Sequence, residues 1–183
     1  MGKSIFSYVL QYNEKSVVKL GDIANMYQPQ TITANEFIED WKYYVYWSWG
    51  IIWKYDKYNH ENSELMVSCR WLCWNISLSI PKSRIIWNQM VIQFKNNDYK
   101  YFIYNYLQSI DLHKIETGSV QKQITRTNLE KIEIKTINEW KLKELSLSLE
   151  PIYKQVIDII INTDELTRLK NNLLPLLING QLK

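Results

Sequence analysis

Cysteine, proline and glycine are scarce in this 183-residue chain, which contains two, four and five of them respectively. Two cysteines, Cys69 and Cys73, are too few for a disulfide scaffold, and we expect both to be reduced thiols. The two histidines, His60 and His113, add too few ligands for a convincing metal site. We therefore expect neither a metal nor any other cofactor.

Long apolar runs are also missing, because no stretch approaches the roughly 20 residues that cross a bilayer. Residues 1–10 contain one lysine and a short apolar stretch interrupted by polar side chains, which makes a poor secretory signal. The sequence predicts a cytoplasmic protein that does not enter a membrane.

Motifs for phosphate binding and base chemistry are absent from the sequence as well. It has no glycine-rich phosphate loop, and its four prolines are isolated, so it has no Pro-Pro tetrapeptide of the kind with which adenine methyltransferases hold a flipped base. His60 with Glu61 and Glu64 could be imagined as an acid–base group, but their polar neighbours indicate a solvated loop. We expect no catalytic activity.

The formal net charge is +3, and the whole excess lies in the first part of the chain. Residues 1–136 hold 16 Lys and Arg against 13 Asp and Glu, whereas residues 137–183 hold six of each. A small positive surplus suits a nucleic-acid-reading domain joined to a neutral structural element, although many globular proteins match it. We expect two parts with these bounds.

Strand signals dominate the middle of the first part. The runs that alternate or are rich in Ile, Val and Met are residues 64–69, 75–80, 84–94 and 129–134. A helix is predicted after Asn97 and Asp98, and residues 118–126 are polar and typical of a loop. A mixed or antiparallel sheet with packed helices makes the predicted fold class α+β.

The second part changes to alternating steps of three and four residues, which is the pattern of a coiled-coil heptad seam. The seam residues are Leu142, Leu145, Leu149, Ile152, Val156, Ile159, Leu166 and Leu173. Because Pro151 cannot lie inside a helix without a kink, we predict a short helix at about 138–149 and a long one at about 151–173. The long helix would span about 34 Å, close to one turn of B-DNA. A terminal helix that folds back on its own domain is the alternative.

Several stretches resemble the DNA specificity subunits of type I restriction-modification systems. Residues 173–181, LLPLLINGQ, are similar to the closing signature of that family, and residues 151–155, PIYKQ, are similar to the start of its C-terminal spacer helix. In the first part, residues 43–56, 68–70 and 88–91 follow the family's target-recognition domain in order and spacing. The resemblance covers most of the chain.

The resemblance implies a half-length, non-catalytic specificity subunit with one target-recognition domain and one helical spacer. Such a subunit binds double-stranded DNA and directs modification and restriction subunits, which carry out adenine methylation and DNA cleavage. The helical seam would pair with a second copy or with a different half-subunit. Two identical copies would read a split palindrome, whose sequence the chain does not disclose.

The same resemblance places DNA reading in loops of the first part. Cationic side chains suit guanine edges or phosphates, and amide side chains suit adenine. The candidate residues are Lys54, Tyr55, Asn59, Arg70, Lys82, Asn88, Gln89, Gln121, Lys122, Gln123 and Arg126. The strongest candidate loop is 120–126, which follows Gly118 and precedes the predicted closing strand.

Tryptophan stands at seven positions where the family shows glycine. They are Trp41, Trp47, Trp49, Trp53, Trp71, Trp74 and Trp87, whereas Trp140 has no family glycine to compare. Glycine enters positive φ freely in tight turns, and a bulky residue does so with strain. We hypothesise that the gene encodes glycine there by UGA codons, and UGG codons at these positions would contradict the hypothesis.

Other classes of function remain open at this point. A coiled-coil adaptor would use its globular head to bind protein. A stand-alone single-strand binder would stack bases on tryptophans interleaved with Lys54, Lys57 and Arg70, although such platforms usually lie on regularly spaced strand positions. A non-functional remnant of a longer subunit is a further alternative.

Overall fold

The computed structural model describes residues 16–31, 42–71 and 74–181, without the side chain of Trp53. Contacts divide the chain into two units, and the division falls between Ser146 and Leu147. Trp41 and Cys73, both singled out in the sequence, lie outside the described residues.

The described strands form three sheets in the first unit. The strands are β1 (Ser16–Lys19), β2 (Ala24–Tyr27), β3 (Tyr43–Trp47), β4 (Gly50–Tyr55), β5 (Leu65–Ser68), β6 (Ile76–Leu78), β7 (Arg84–Ile85), β8 (Gln89–Phe94) and β9 (Glu133–Thr136). Antiparallel pairing gives a two-stranded sheet, β1-β9, and a four-stranded sheet ordered β2-β8-β5-β6. The third sheet, β4-β3-β7, is mixed because β3 and β7 run parallel.

Helices accompany these sheets and continue into the second unit. They are α1 (Leu20–Ile23), α2 (Tyr99–Ser109), a 3₁₀ turn (Leu112–Ile115), α3 (Arg126–Glu130) and α4 (Glu139–Ile178). Sheets with separate helices confirm the predicted α+β fold class. None of the described helices is both long and apolar enough to span a membrane.

The core of the first unit lies around the four-stranded sheet. Leu65, Met66 and Val67 of β5 are all fully buried, which explains why this central strand is apolar throughout and does not alternate. From α2, Phe102 and Leu107 are buried as well. Ile103, which is also buried, lies four residues before Leu107, and this is helical spacing.

A tight turn joins β3 to β4 at Ser48 and Trp49. Gly50 closes the turn at φ +118°, a conformation that glycine adopts without strain. The pairing of the two strands shifts by one residue between Val45 and Tyr46, which marks a β-bulge. The turn is therefore held in a fixed position at the end of the third sheet.

Two predictions of secondary structure were wrong. Residues 129–134 do not form one strand, because α3 continues to Glu130 and β9 begins at Glu133. Thr125 caps α3 by accepting a hydrogen bond from the Asn128 N–H at 3.2 Å, which gives the helix its start. The spacing of Leu129, Ile132 and Ile134 is compatible with a single strand. It is equally compatible with the end of a helix followed by a strand, so the pattern alone does not distinguish the two.

The predicted break at Pro151 is also wrong, since α4 is continuous from Glu139 to Ile178 and contains Pro151. A proline inside a helix removes one backbone hydrogen bond and crowds the preceding turn, at a cost of about 3 kcal/mol. A helix of 40 residues retains enough other backbone hydrogen bonds to continue past it.

The predicted seam differs in exposure along its length. Leu142, Leu145 and Leu149 are buried in the chain itself, which corrects their prediction as partner-binding residues. From Val156 onward the seam is exposed, with Ile159 at 63% and Leu166 at 66%. The surface left for a partner therefore belongs to the second half of the predicted seam.

The tryptophans do not all lie in turns, contrary to expectation. Trp47 ends β3 and is half-buried with Trp87 against Val45 and Ile86. Trp71, by contrast, has φ +70° and is 62% exposed, as expected of a residue at a glycine position. The structure thus favours glycine at Trp71 and gives no reason for it at Trp47.

We expect Trp71→Gly to stabilise the first unit by about 0.5–1 kcal/mol. Relief of left-handed strain, roughly 1–2 kcal/mol, outweighs the greater chain entropy of glycine in the unfolded state. Urea denaturation measures the change. Trp49→Gly is the matched control, because Trp49 is 67% exposed but has no positive φ. Equal destabilisation by both substitutions would contradict the strain at Trp71.

Candidate nucleic-acid interface

The β3–β4 turn is fixed through Ser48, a fully buried residue between two tryptophans. Its hydroxyl donates to the Arg70 carbonyl at 2.7 Å. Its carbonyl accepts from the Ser68 hydroxyl at 2.7 Å and from the Asn75 amide at 2.9 Å. One serine therefore joins the turn to both ends of the β5–β6 connection. We call the surface above it the Ser48 junction: the 48–50 turn, Arg70–Trp71 and the 117–123 loop.

Asn88 completes this buried network from the start of β8. The Asn88 amide lies 2.8 Å from the Ser48 hydroxyl. With its oxygen facing the turn, it accepts from the Ser48 N–H at 2.9 Å and the Trp47 indole N–H at 3.2 Å. We favour that orientation because both N–H groups then have an acceptor. Asn88 is fully buried, so its prediction as an adenine reader is wrong.

Gln89 and Tyr55 are also buried and are not DNA contacts. The Gln89 amide donates to the Trp47 carbonyl at 2.5 Å and accepts from the Ser68 hydroxyl at 3.3 Å. Tyr55 packs with Val45 in the core of the third sheet. Sequence patterns identify such side chains as polar or aromatic but do not reveal that neighbouring strands cover them.

Asn59 has a structural role as well, since its amide is hydrogen-bonded in both directions to the backbone of Ile85. Its nitrogen donates to the Ile85 carbonyl at 2.8 Å, and its oxygen accepts from the Ile85 N–H at 2.9 Å. These bonds hold β7 beside the 57–60 segment. Asn59 thus has a structural role, and its contact with adenine stays a prediction.

The strongest candidate loop lies directly beside Arg70. Thr117 and Gln123 pair through reciprocal backbone hydrogen bonds of 2.8 and 2.9 Å, and Gln123 also forms a bridge with Arg70. Gly118 turns the chain at φ +96°, where a Cβ would collide with the Gln121 carbonyl. The 117–123 pairing therefore closes the loop at its base, and Val120 at its tip is exposed.

The side chains around this loop carry positive charge and amides. The Arg70 guanidinium lies 4.8 Å from the centre of the Trp87 ring, a cation–π distance. Lys122 is exposed and pairs with the nearly buried Glu116 at 3.1 Å. With the exposed Gln121, the Ser48 junction brings together the types of side chain that contact phosphates and base edges.

The remaining cationic candidates each contact another side chain of the first unit. Lys54 lies 4.5 Å from the Tyr44 ring, Lys82 pairs with Glu61 at 3.6 Å, and Arg126 pairs with Glu130 at 2.7 Å. Such exposed pairs contribute little to stability, so their cations stay available to an anionic ligand. The described contacts do not connect these three residues with the Ser48 junction.

Sequence reasoning missed Ser48, Ser68 and Asn75, the residues that hold the loops together. The signal that could have found Ser48 is its position as the one small polar residue in an aromatic run. No group of three potential metal-ligating side chains occurs in the described ranges.

Solved structures with a similar fold include two S subunits. An S subunit of a type I restriction-modification system from M. genitalium matches with a TM-score of 0.68 and 11% identity, over 88% of this chain and 45% of that one. The HsdS subunit from Thermoanaerobacter tengcongensis matches with a TM-score of 0.56 and 14% identity, over 99% and 51%. A chain from a structure on complex assembly and conformational transition of the type I R-M system matches with a TM-score of 0.59 and 13% identity, over 95% of this chain and 52% of that one.

The fold is thus that of an S subunit. A model of the type I restriction modification DNA specificity domain matches residues 12–173, and the chain belongs to this family. The chain spans about half the length of the S subunits that it matches. No curated protein sequence matches it.

Proposed function

We propose that this chain is a half-length DNA specificity subunit that reads one half of a bipartite target. It directs adenine methylation and DNA cleavage by modification and restriction subunits and is itself non-catalytic and cytoplasmic. The observation that carries the proposal is the Ser48 junction, where hydrogen-bonded loops of a specificity domain bring cationic and amide side chains together.

In this proposal the contacts divide by chemistry. Arg70, Gln121 and Gln123 reach base edges, where guanidinium and amide groups discriminate between bases. The cations Lys54, Lys82, Lys122 and Arg126 contact phosphates and fix the register of the domain on the duplex.

The second half of the target is read by a partner that docks on α4. The exposed part of the seam, from Ile152 to Leu173, pairs with the same helix of a second copy or of a different half-subunit. Support for this comes from the exposed apolar side chains of α4 and from the length of the matched S subunits, about twice that of this chain. Exposed apolar faces of this size are unusual on a helix that stays unpartnered.

Salt dependence of DNA binding tests the proposal. Affinity for a duplex should fall steeply between about 50 and 200 mM salt, because each neutralised phosphate releases counterions. Arg70→Gln should weaken binding to the preferred sequence by about 1–3 kcal/mol, whereas Lys135→Gln, which removes a charge from β9, should have little effect. Affinity that does not change with salt would contradict phosphate contact and favour the protein-binding adaptor.

A further inference from the structure

A recess lies in the first unit, between the end of β2 and the segment before β7. Its volume is about 380 Å³, at the lower end of the range for small-ligand sites. The lining residues are Tyr27, Gln28, Pro29, Gln30, Asn59, His60 and Arg84. We call it the Arg84 cleft.

Internal hydrogen bonds fix one wall of this cleft. The oxygen of Asn59 lies 2.6 Å from His60 Nδ1, and the same oxygen accepts from Ile85, so Nδ1 is the protonated nitrogen of His60. His60 Nε2 then accepts from the Tyr27 hydroxyl at 2.9 Å. Both ring nitrogens of His60 and the amide of Asn59 are thereby hydrogen-bonded within the protein.

Arg84 supplies the charge of the cleft. Its guanidinium carbon lies 5.2 Å from the centre of the buried Tyr55 ring, which orients the planar group. Burial and then the nearby Arg84 charge lower the pKa of His60 to about 4, so His60 is neutral near pH 7. None of the described lining residues is acidic. Burial and then the charge of Glu64 raise the pKa of Tyr27, and Glu64 also accepts a hydrogen bond from Gln93.

Gln28 connects the cleft with the Ser48 junction. Its amide donates to the Trp87 carbonyl at 2.8 Å and to the Cys69 sulfur at 3.0 Å. The Arg70 guanidinium lies over the ring of Trp87. The Gln28–Trp87 contact therefore links the lining of the Arg84 cleft with the ring on which Arg70 lies.

We propose that Arg84 binds a phosphate group of the DNA backbone in this cleft, beside the bases that the Ser48 junction reads. The inference rests on the proposed function, of which it names one backbone contact. A phosphate fits this cleft because a fixed guanidinium matches phosphate geometry, none of the described lining residues is acidic, and the amides of Gln28 and Asn59 bond to the protein backbone.

Binding of the full chain to a pool of random duplexes, with sequencing of the bound fraction, tests the inference. Arg84→Gln should weaken binding to all sequences by roughly three- to tenfold at about 0.1 M salt. The slope of log affinity against log salt should shrink by about 0.9. Arg84→Lys should keep the slope, and Lys135→Gln should change neither quantity. Weakening limited to some sequences, or an unchanged slope, would overturn the phosphate contact.

Nuclear magnetic resonance of His60 gives an independent measurement on the unaltered protein. A phosphate beside Arg84 offsets its charge, so a duplex should raise the pKa of His60. This readout stays decisive if Arg84→Gln does not fold, and an unchanged pKa in the DNA complex would contradict the inference. A wild-type chain that binds no duplex would refute the proposed function itself, whatever Arg84 does.

Discussion

Asn88→Ala is expected to lower the free energy of unfolding by about 3 kcal/mol and to abolish selective DNA binding. The substitution leaves the buried Ser48 and Trp47 N–H groups without their acceptor, and each such group costs about 1–3 kcal/mol. It also opens a cavity where three loops meet. Urea denaturation and duplex binding at a fixed temperature measure the two effects.

The matched control is Asn97→Ala, on an exposed asparagine just before α2, which should change stability by less than about 0.5 kcal/mol. One other result would restore the sequence-based prediction that Asn88 reads adenine. If Asn88→Ala folds with normal stability but binds a changed target, then Asn88 reads DNA and the buried network has little energetic importance.

Combined Ile159→Asp and Leu166→Asp should separate paired chains and reduce association by more than about 100-fold. Both side chains are exposed in the single chain and would be buried in a helical pair, where an unpaired carboxylate is strongly unfavourable. A 100-fold loss corresponds to about 2.7 kcal/mol, less than burial of two charges is expected to cost. Analytical ultracentrifugation of the full chain measures the change.

Asn171→Asp with Asn172→Asp adds the same charge to α4 away from the seam, and we expect it to leave association unchanged. If the wild-type chain is already monomeric and stays so with its modification subunits, a second copy is not the partner. Association with a different half-subunit is then measured instead. The combined Ile159→Asp and Leu166→Asp variant should prevent that association as well.

The sequence predicts those elements whose side chains follow a single period. Residues 75–80 alternate and contain β6, and α2 carries Ile103 and Leu107 at helical spacing. The β3–β4 hairpin escaped prediction because Tyr44, Val45 and Tyr46 are all buried, so no alternation remains, and a bulge shifts the register.

Prediction of the site was limited by burial. Arg70 and the loop at 117–123 belong to one surface, yet Asn88 and Gln89, chosen for the same polar chemistry, lie beneath it. Side-chain type does not say which of two polar residues faces solvent, because that depends on pairing between strands distant in sequence. Arg84 was passed over for the same reason, since contacts from β2 and β4 create its cleft.

The most direct test of the account is the position of methylated adenines in DNA from cells that express this chain together with its modification subunits. We predict methylation at one split motif with two identical, inverted halves, which disappears when the chain is omitted. An asymmetric split motif would retain the specificity role and replace the second copy by a different half-subunit. Methylation that is absent, or unchanged without the chain, would contradict its function as a specificity subunit.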